Sequence, residues 1–298
     1  MRTAERRNSR TMKDSRFLVP TVTPFRADGS INYDALKKLV RYVLDEGADG
    51  IYAGGASSEF VLLTEEEREK VVETVVRAAD GATVVAHVGD ASTDKCERLA
   101  RHAKKVGADG VSAVPPFWYG YTIDEIADYY RVIADAAELP VMIYNIPACS
   151  GVMFTTEQFC KILSDERIVS VKFTDTDYFT MERIIQHTGK TVYSGCDQCF
   201  LSAIAAGAKG AIGTTFNFMM KKYIAIYDAF TQGDNQKALE IMTSTNNITE
   251  EIVKNNCIQT TKYLLTLIGI EAGVCRRPFR PLSDADKLAL QNAYEKNI

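Results

Sequence analysis

Short apolar, β-branched runs alternate with amphipathic stretches of helical period along this chain, and that alternation leaves few folds open. The runs lie near residues 17–22, 50–53, 83–88, 110–114, 140–144, 168–173, 191–194 and 210–213, with a helical pattern between each pair. The first helix places Leu36, Leu39, Val40, Val43 and Leu44 on one face and Lys37, Lys38, Arg41 and Asp45 on the other. A strand buried on both faces reads as a continuous apolar run, and such strands alternating with helices predict a parallel sheet covered by helices. Eight units are the number a closed barrel takes, so the expected fold is a (β/α)8 TIM barrel. A doubly wound open sheet is the structural runner-up.

A repeated punctuation supports the unit count. Gly47-Ala-Asp-Gly50, Gly107-Ala-Asp-Gly110 and Gly207-Ala-Lys-Gly210 each stand between a helical pattern and an apolar run. The first glycine is a natural left-handed helix cap, and the spacings of 60 and 100 residues fit two and three units of about 30 residues. After Phe218 the pattern is wholly helical, more than a last barrel helix needs. The expected organisation is therefore a tail over 1–15, a barrel over 16–230 and a C-terminal helical extension over 231–298. The tail carries Arg2, Arg6, Arg7, Arg10 and Lys13 with no apolar stretch behind them. It reads as disordered or as an expression remnant, with a transit peptide as the other reading.

A net charge of −4 and a pI near 5.6 argue against nucleic acid or an anionic membrane as partner. No apolar run approaches the ~20 residues of a membrane span. Seven scattered cysteines, an odd number, fit reduced thiols in a cytoplasmic protein better than a disulfide framework. His87, His102 and His187 are far apart in sequence, and no metal site is expected.

Barrel active sites form at the C-terminal ends of the strands. The polar residues there are Thr21 and Thr23, Ser57 and Ser58 with Glu59, His87, Trp118 and Tyr119, Tyr144 and Asn145, Lys172 and Thr174, Gly195 and Asp197, and Thr214 and Thr215. Lys172 ends Ile168-Val-Ser-Val-Lys172, inside a β-branched run where an ammonium is poorly solvated. Burial lowers a lysine's pKa, and a neutral amine attacks carbonyls. The competing reading is a lysine that snorkels from the barrel mouth or pairs with Asp175 or Asp177. Tyr144, at the neighbouring strand end, is either a proton carrier beside that amine or a phenol satisfied by a backbone carbonyl. Gly54-Gly-Ala-Ser-Ser-Glu59 supplies N–H groups that can hold a carboxylate, and it also reads as an ordinary strand-to-helix turn. Cys196-Asp-Gln-Cys199 has the form of a redox pair but lacks its usual context. His87 reads as a hydrogen-bonded barrel-end residue rather than a base.

At these residues the chain resembles the N-acetylneuraminate lyase and dihydrodipicolinate synthase family of class I aldolases, over roughly 16–298. Tyr144-Asn-Ile-Pro147 is similar to the family's Tyr-Asn-Ile/Val-Pro segment, and Lys172 stands 28 residues on, at the family's Schiff-base position. Ala86-His-Val-Gly, Ser112-Ala-Val-Pro-Pro-Phe, Ile212-Gly-Thr-Thr-Phe-Asn and Arg277-Pro-Phe look like the lyase branch. The synthase branch has an arginine shortly after the Tyr-Asn-Val-Pro segment, where this chain has Ala148-Cys149. The lyase resemblance implies that Lys172 takes the 2-oxo acid carbonyl and that Tyr144 moves the proton at the cleaved bond. It implies that Ser57 and the Ser58 backbone meet the carboxylate, that Thr174 stands beside the lysine, and that Gly195, Asp197, Gln198 and Thr214 meet a polyhydroxyl tail. It implies no cofactor and a homotetramer.

Four positions depart from that pattern. Ala56 lacks a hydroxyl that Ser58 is expected to replace, Gln198 stands for a glutamate, Thr214 for a serine, and Trp118 for an aromatic, often tyrosine, that reaches a neighbouring subunit. The leading expectation is a Schiff-base lyase cleaving N-acetylneuraminate to pyruvate and N-acetylmannosamine. Alternatives are a pyruvate-dependent aldolase for 2-keto-3-deoxygluconate or 4-hydroxy-2-oxoglutarate, dihydrodipicolinate synthase, and a barrel retained only for binding or regulation.

Overall fold

The computed structural model describes residues 15–298. The expectation of a disordered tail or remnant over 1–15 lies outside the described residues except at Ser15, which is buried with its hydroxyl 3.3 Å from Thr83 Oγ1. Eight parallel strands follow one another in chain order: β1 (Leu18–Pro20), β2 (Gly50–Ala53), β3 (Thr83–His87), β4 (Gly110–Ala113), β5 (Val141–Asn145), β6 (Ile168–Phe173), β7 (Thr191–Ser194) and β8 (Gly210–Ala211). Phe17 bridges in parallel to Ala211, bringing the last strand back beside the first, as a barrel requires.

The helices are α1 (Tyr33–Asp45), α2 (Glu65–Ala79), α3 (Thr93–Val106), α4 (Ile123–Ala137), the single turn α5 (Pro147–Ser150), α6 (Thr156–Leu163), α7 (Tyr178–Thr188), α8 (Phe200–Ala205) and α9 (Phe216–Thr231). After them come α10 (Asn235–Val253), α11 (Cys257–Leu267) and α12 (Asp284–Asn297), with α10 against α8, α9 and α12. Two apolar layers hold the barrel. Residues such as Val19, Ile51, Val84 and Val111 face outward against Leu36, Val71, Leu99 and Ile133 of the helices. Leu18, Tyr52, Val85, Met142, Tyr193 and Ile212 fill the interior.

The repeated Gly-Ala-Asp/Lys-Gly motif has one geometry at all three places. Gly47, Gly107 and Gly207 have φ of 102°, 92° and 100°, the left-handed cap the pattern predicts. The third residue then donates its N–H to the preceding strand: Asp49 to Phe17 O, Asp109 to Val84 O and Lys209 to Val192 O. Asp49 and Asp109 also accept strand N–H groups on their carboxylates, from Arg16 and Phe17 and from Val84. The motif thus sets strand register at the closed end and leaves the opposite end free for function.

Candidate active site

Lys172 lies in register with Tyr144 on β5 and Tyr193 on β7, and its side chain points into the barrel with 4% exposure. Its Nζ is 4.0 Å from the centre of the Tyr144 ring and 4.6 Å from that of Tyr52. Aromatic faces favour a cation weakly, while removal from water opposes it strongly. Burial prevails over the attraction of Asp197 and Cys196, and the amine is pushed down to about 7. Among the described residues no carboxylate stands within 4 Å of Nζ, and Asp175 and Asp177 instead accept backbone N–H groups at the start of α7. The snorkelling and ion-paired readings of this lysine are therefore not what the fold builds.

The Tyr144 phenol is buried and its pKa is raised, first by burial and then by the nearby Cys149, against a lowering from the Thr174 hydroxyl. Thr174 Oγ1 itself is buried and, among the described residues, makes no hydrogen bond of ordinary geometry. Such an atom is left costly unless something arrives to pair with it. Gly195 explains how Thr174 is held so close: a Cβ at 195 would fall 1.9 Å from Thr174 Oγ1. Only glycine lets β7 leave the barrel at this height.

After β2, the segment Ala56–Ser58 forms a 3-10 turn. Ser57 and Thr214 share a hydrogen bond of 2.6 Å between their hydroxyls across the mouth. The Ser58 hydroxyl donates to Thr21 O at 2.6 Å, and Thr23 Oγ1 donates to Ser58 O at 2.9 Å. The Ser58 side chain thus anchors the loop to β1 and does not stand in for the missing hydroxyl at Ala56. Asp197 is buried, and burial raises its pKa; its carboxylate accepts from both the N–H and the hydroxyl of Thr215, at 2.8 and 2.7 Å. Gln198 is exposed on the turn that follows, its carbonyl accepting from Asn246 of α10. The fold therefore gathers Lys172, Tyr144, Thr174, Gly195, Ser57, Asp197 and Thr214 at one end of the barrel, with Gln198 at the rim.

His87 is buried against Phe60 with its pKa well below the usual range, first through burial and then through Arg68 and Lys172. Cys196 and Cys199 are free, and the Cys196 thiol points to Asp175 O at 3.6 Å. Beside Tyr144 an apolar recess of about 90 Å³ is lined by Ala56, Phe117, Ile146 and Cys149, among others.

Two residues near the site have roles the sequence pattern does not reveal. Glu59 ends the 54–59 loop and forms a 2.6 Å ion pair with Lys262 of α11, both side chains having no exposure. Removing one member of such a pair costs about 3–5 kcal/mol, because the other charge stays buried. The only local signal is a lysine among the buried Gln259, Thr260, Thr261, Leu264 and Leu265 of α11.

Comparison with known proteins places this architecture among relatives. A sequence model described as the dihydrodipicolinate synthetase family matches residues 13–297. The chain is 37% identical to N-acetylneuraminate lyase 2 of Escherichia coli O6:H1, over 92% of this chain and 91% of that protein. It is 38% identical to N-acetylneuraminate lyase of Rhizobium meliloti, over 91% of each. Among solved structures it resembles CdNal of Clostridium difficile, crystallised with mannosamine, with a TM-score of 0.92 and 31% identity over 95% of this chain and 99% of the other. Dihydrodipicolinate synthase DapA-2 of Bacillus anthracis is similar, with a TM-score of 0.91 and 30% identity over 94% and 97%.

Proposed function

The chain belongs to the dihydrodipicolinate synthetase family, and from that membership and the geometry of Lys172 we propose that it is a carbon–carbon lyase cleaving N-acetylneuraminate to pyruvate and N-acetylmannosamine. The observation that carries the reading is a buried amine, titrating near neutrality, 4.0 Å from a phenol ring at the open end of a barrel. Several relatives of more than a third identity are N-acetylneuraminate lyases, which favours that substrate.

In this mechanism the neutral Lys172 amine adds to the C2 ketone of the open-chain sugar acid, water leaves, and one proton taken up from solvent gives a protonated imine; that proton is released again on the final hydrolysis. The C4 hydroxyl gives its proton to Tyr144 as the C3–C4 bond breaks, and the bonding pair moves into the imine to form an enamine. The aldehyde departs, Tyr144 returns the proton to C3, and water hydrolyses the imine to pyruvate and free amine. A phenol whose pKa is raised stays protonated at neutrality. Tyr144 therefore acts as a relay: as it receives the C4 proton it passes its own to the carboxylate of the bound 2-oxo acid, and the same path run in reverse delivers that proton to C3, with the unpaired Thr174 hydroxyl as its neighbour. Ser57 and the Ser58 backbone receive the carboxylate, while Gly195, Asp197, Gln198 and Thr214 meet the sugar tail. Ala148-Cys149, in the stretch where the synthase branch carries its arginine, offers the second carboxylate of that reaction no charged partner.

Gln198 supports the second reading, an aldolase for another 2-oxo acid. A neutral, exposed amide at the rim suits a different hydroxyl pattern. We further propose a cytoplasmic homotetramer without nucleic-acid partners, consistent with seven free thiols, a net charge of −4 and the exposed Trp118. Borohydride with pyruvate is expected to add a reduced adduct at Lys172, and N-acetylneuraminate to release pyruvate. An unmodified Lys172 in folded protein would overturn the mechanism. Trapping without cleavage of N-acetylneuraminate would favour the second reading.

A further inference from the structure

Among the described residues, Glu59 and Lys262 form the ion pair in which neither side chain has any exposure. Glu59 closes the loop that carries Ser57. Its backbone lies at φ 60° and ψ 37°, a conformation disfavoured for any residue with a Cβ, and it joins two 3-10 turns, Ala56–Ser58 and Phe60–Leu62. From there the side chain leaves the barrel mouth and enters the C-terminal extension. Oε1 accepts from Lys262 Nζ at 2.6 Å, and Oε2 accepts from the Arg276 N–H at 2.8 Å. Lys262 also donates to Val274 O and lies 4.1 Å from the centre of the Phe25 ring. The Arg276 guanidinium returns to the barrel, donating to Leu62 O and Glu67. Residues 262–276 therefore grip the loop at Glu59, while Thr21, Thr23 and Thr214 hold it at Ser57 and Ser58.

Stability alone does not call for charge here. A buried ion pair exchanged for apolar side chains of similar volume is often neutral or stabilising. What two charged hydrogen bonds supply is direction and distance, and a binding group misplaced by about 1 Å loses much of its effect. We propose that Glu59 and Lys262 are positioning residues, through which the C-terminal extension orients the Ser57 loop for the carboxylate of the 2-oxo acid. The extension is then a working part of the substrate site. This inference rests on the reading of residues 54–59 as the carboxylate loop.

The test pairs Glu59→Met with Lys262→Met in one full-length variant, so that no buried charge is left alone. With N-acetylmannosamine saturating, KM for pyruvate is expected to rise about tenfold, while kcat changes by less than about threefold. Borohydride trapping at saturating pyruvate should still label Lys172, and the melting temperature should hold. A merely structural pair would shift the melting temperature or the active fraction, in either direction, and leave KM alone. A KM within about twofold of the parent, in folded protein, overturns the proposal. Should the double variant not fold, Glu59→Gln combined with Lys262→Met keeps an acceptor for the Arg276 N–H and still leaves no buried charge alone. A KM rise of about threefold then supports the proposal, and an unchanged KM overturns it. Ser57→Ala separates the two levels. If it raises KM and the paired variant does not, the brace fails and the loop reading stands; if Ser57→Ala leaves KM unchanged, the loop reading fails and the brace with it.

Discussion

At Lys172 burial opposes the ammonium while Asp197 and Cys196 favour it, and the balance leaves the amine titrating at about 7 rather than 10.5. Between those two values the unfolded chain holds a proton that the folded chain does not, so this group makes stability rise with pH across that window. Below 7 the full cost of the buried charge is present; above 10.5 it has gone. At ~1.4 kcal/mol per tenfold step, that cost is on the order of 5 kcal/mol. Lys172→Met should therefore abolish turnover yet stabilise the fold by about 2–5 kcal/mol at pH 7, an advantage that shrinks toward pH 10. Urea unfolding at the two pH values checks it, and an advantage equal at both would contradict the assignment. In the parent enzyme kcat/KM should climb through about pH 7 as the amine loses its proton and then level off, under the same titration. Lys172 and Tyr144 were legible because each ends an apolar strand, where a polar side chain has no local reason to be. Glu59 and Lys262 were not, because their partnership spans 203 residues and each sits in a local pattern that solvation explains as well.

Elements here start and stop where their own residues say they should. Thr64, Thr122, Thr155 and Ser283 each close a capping box, the hydroxyl accepting an N–H three residues on while that residue's side chain returns the favour. Thr122→Ala should lower stability by about 1 kcal/mol, because it leaves the N–H of Glu125 without its side-chain acceptor. A denaturation midpoint shifted at constant slope, with KM unchanged, is the expected result; a change in KM would tie α4 to the site. The glycine motifs were legible in the same way, since a left-handed cap has a composition. The crossing of α9 was not: Met219 interrupts the helix at φ −141°, and nothing in Phe216-Asn-Phe-Met-Met220 announces a kink.

The whole molecule leaves Trp118 and Tyr119 86% and 70% exposed above the site, with Trp118 held at φ 88°. A strained, exposed indole next to a catalytic mouth suits contact with another copy. Light scattering should report four times the chain mass, and Trp118→Ala should reduce that mass together with specific activity. A parent protein that runs as one chain would overturn the tetramer. The barrel itself needed no tertiary knowledge, because eight buried strands alternating with amphipathic helices have few other ways to cover both faces of a parallel sheet. The same periodicity, joined to the rule that barrel sites form at the C-terminal strand ends, put Lys172, Tyr144, Ser57 and Asp197 among the candidates, and the family resemblance supplied their roles. Periodicity is a statement about neighbours along the chain. The commitment of the Ser58 hydroxyl to Thr21, the close approach of Gly195 to Thr174 and the grip of Lys262 on Glu59 are contacts between distant segments. Those were decided only when the barrel closed and α11 packed against its mouth, where the loss of water made each of those contacts obligatory.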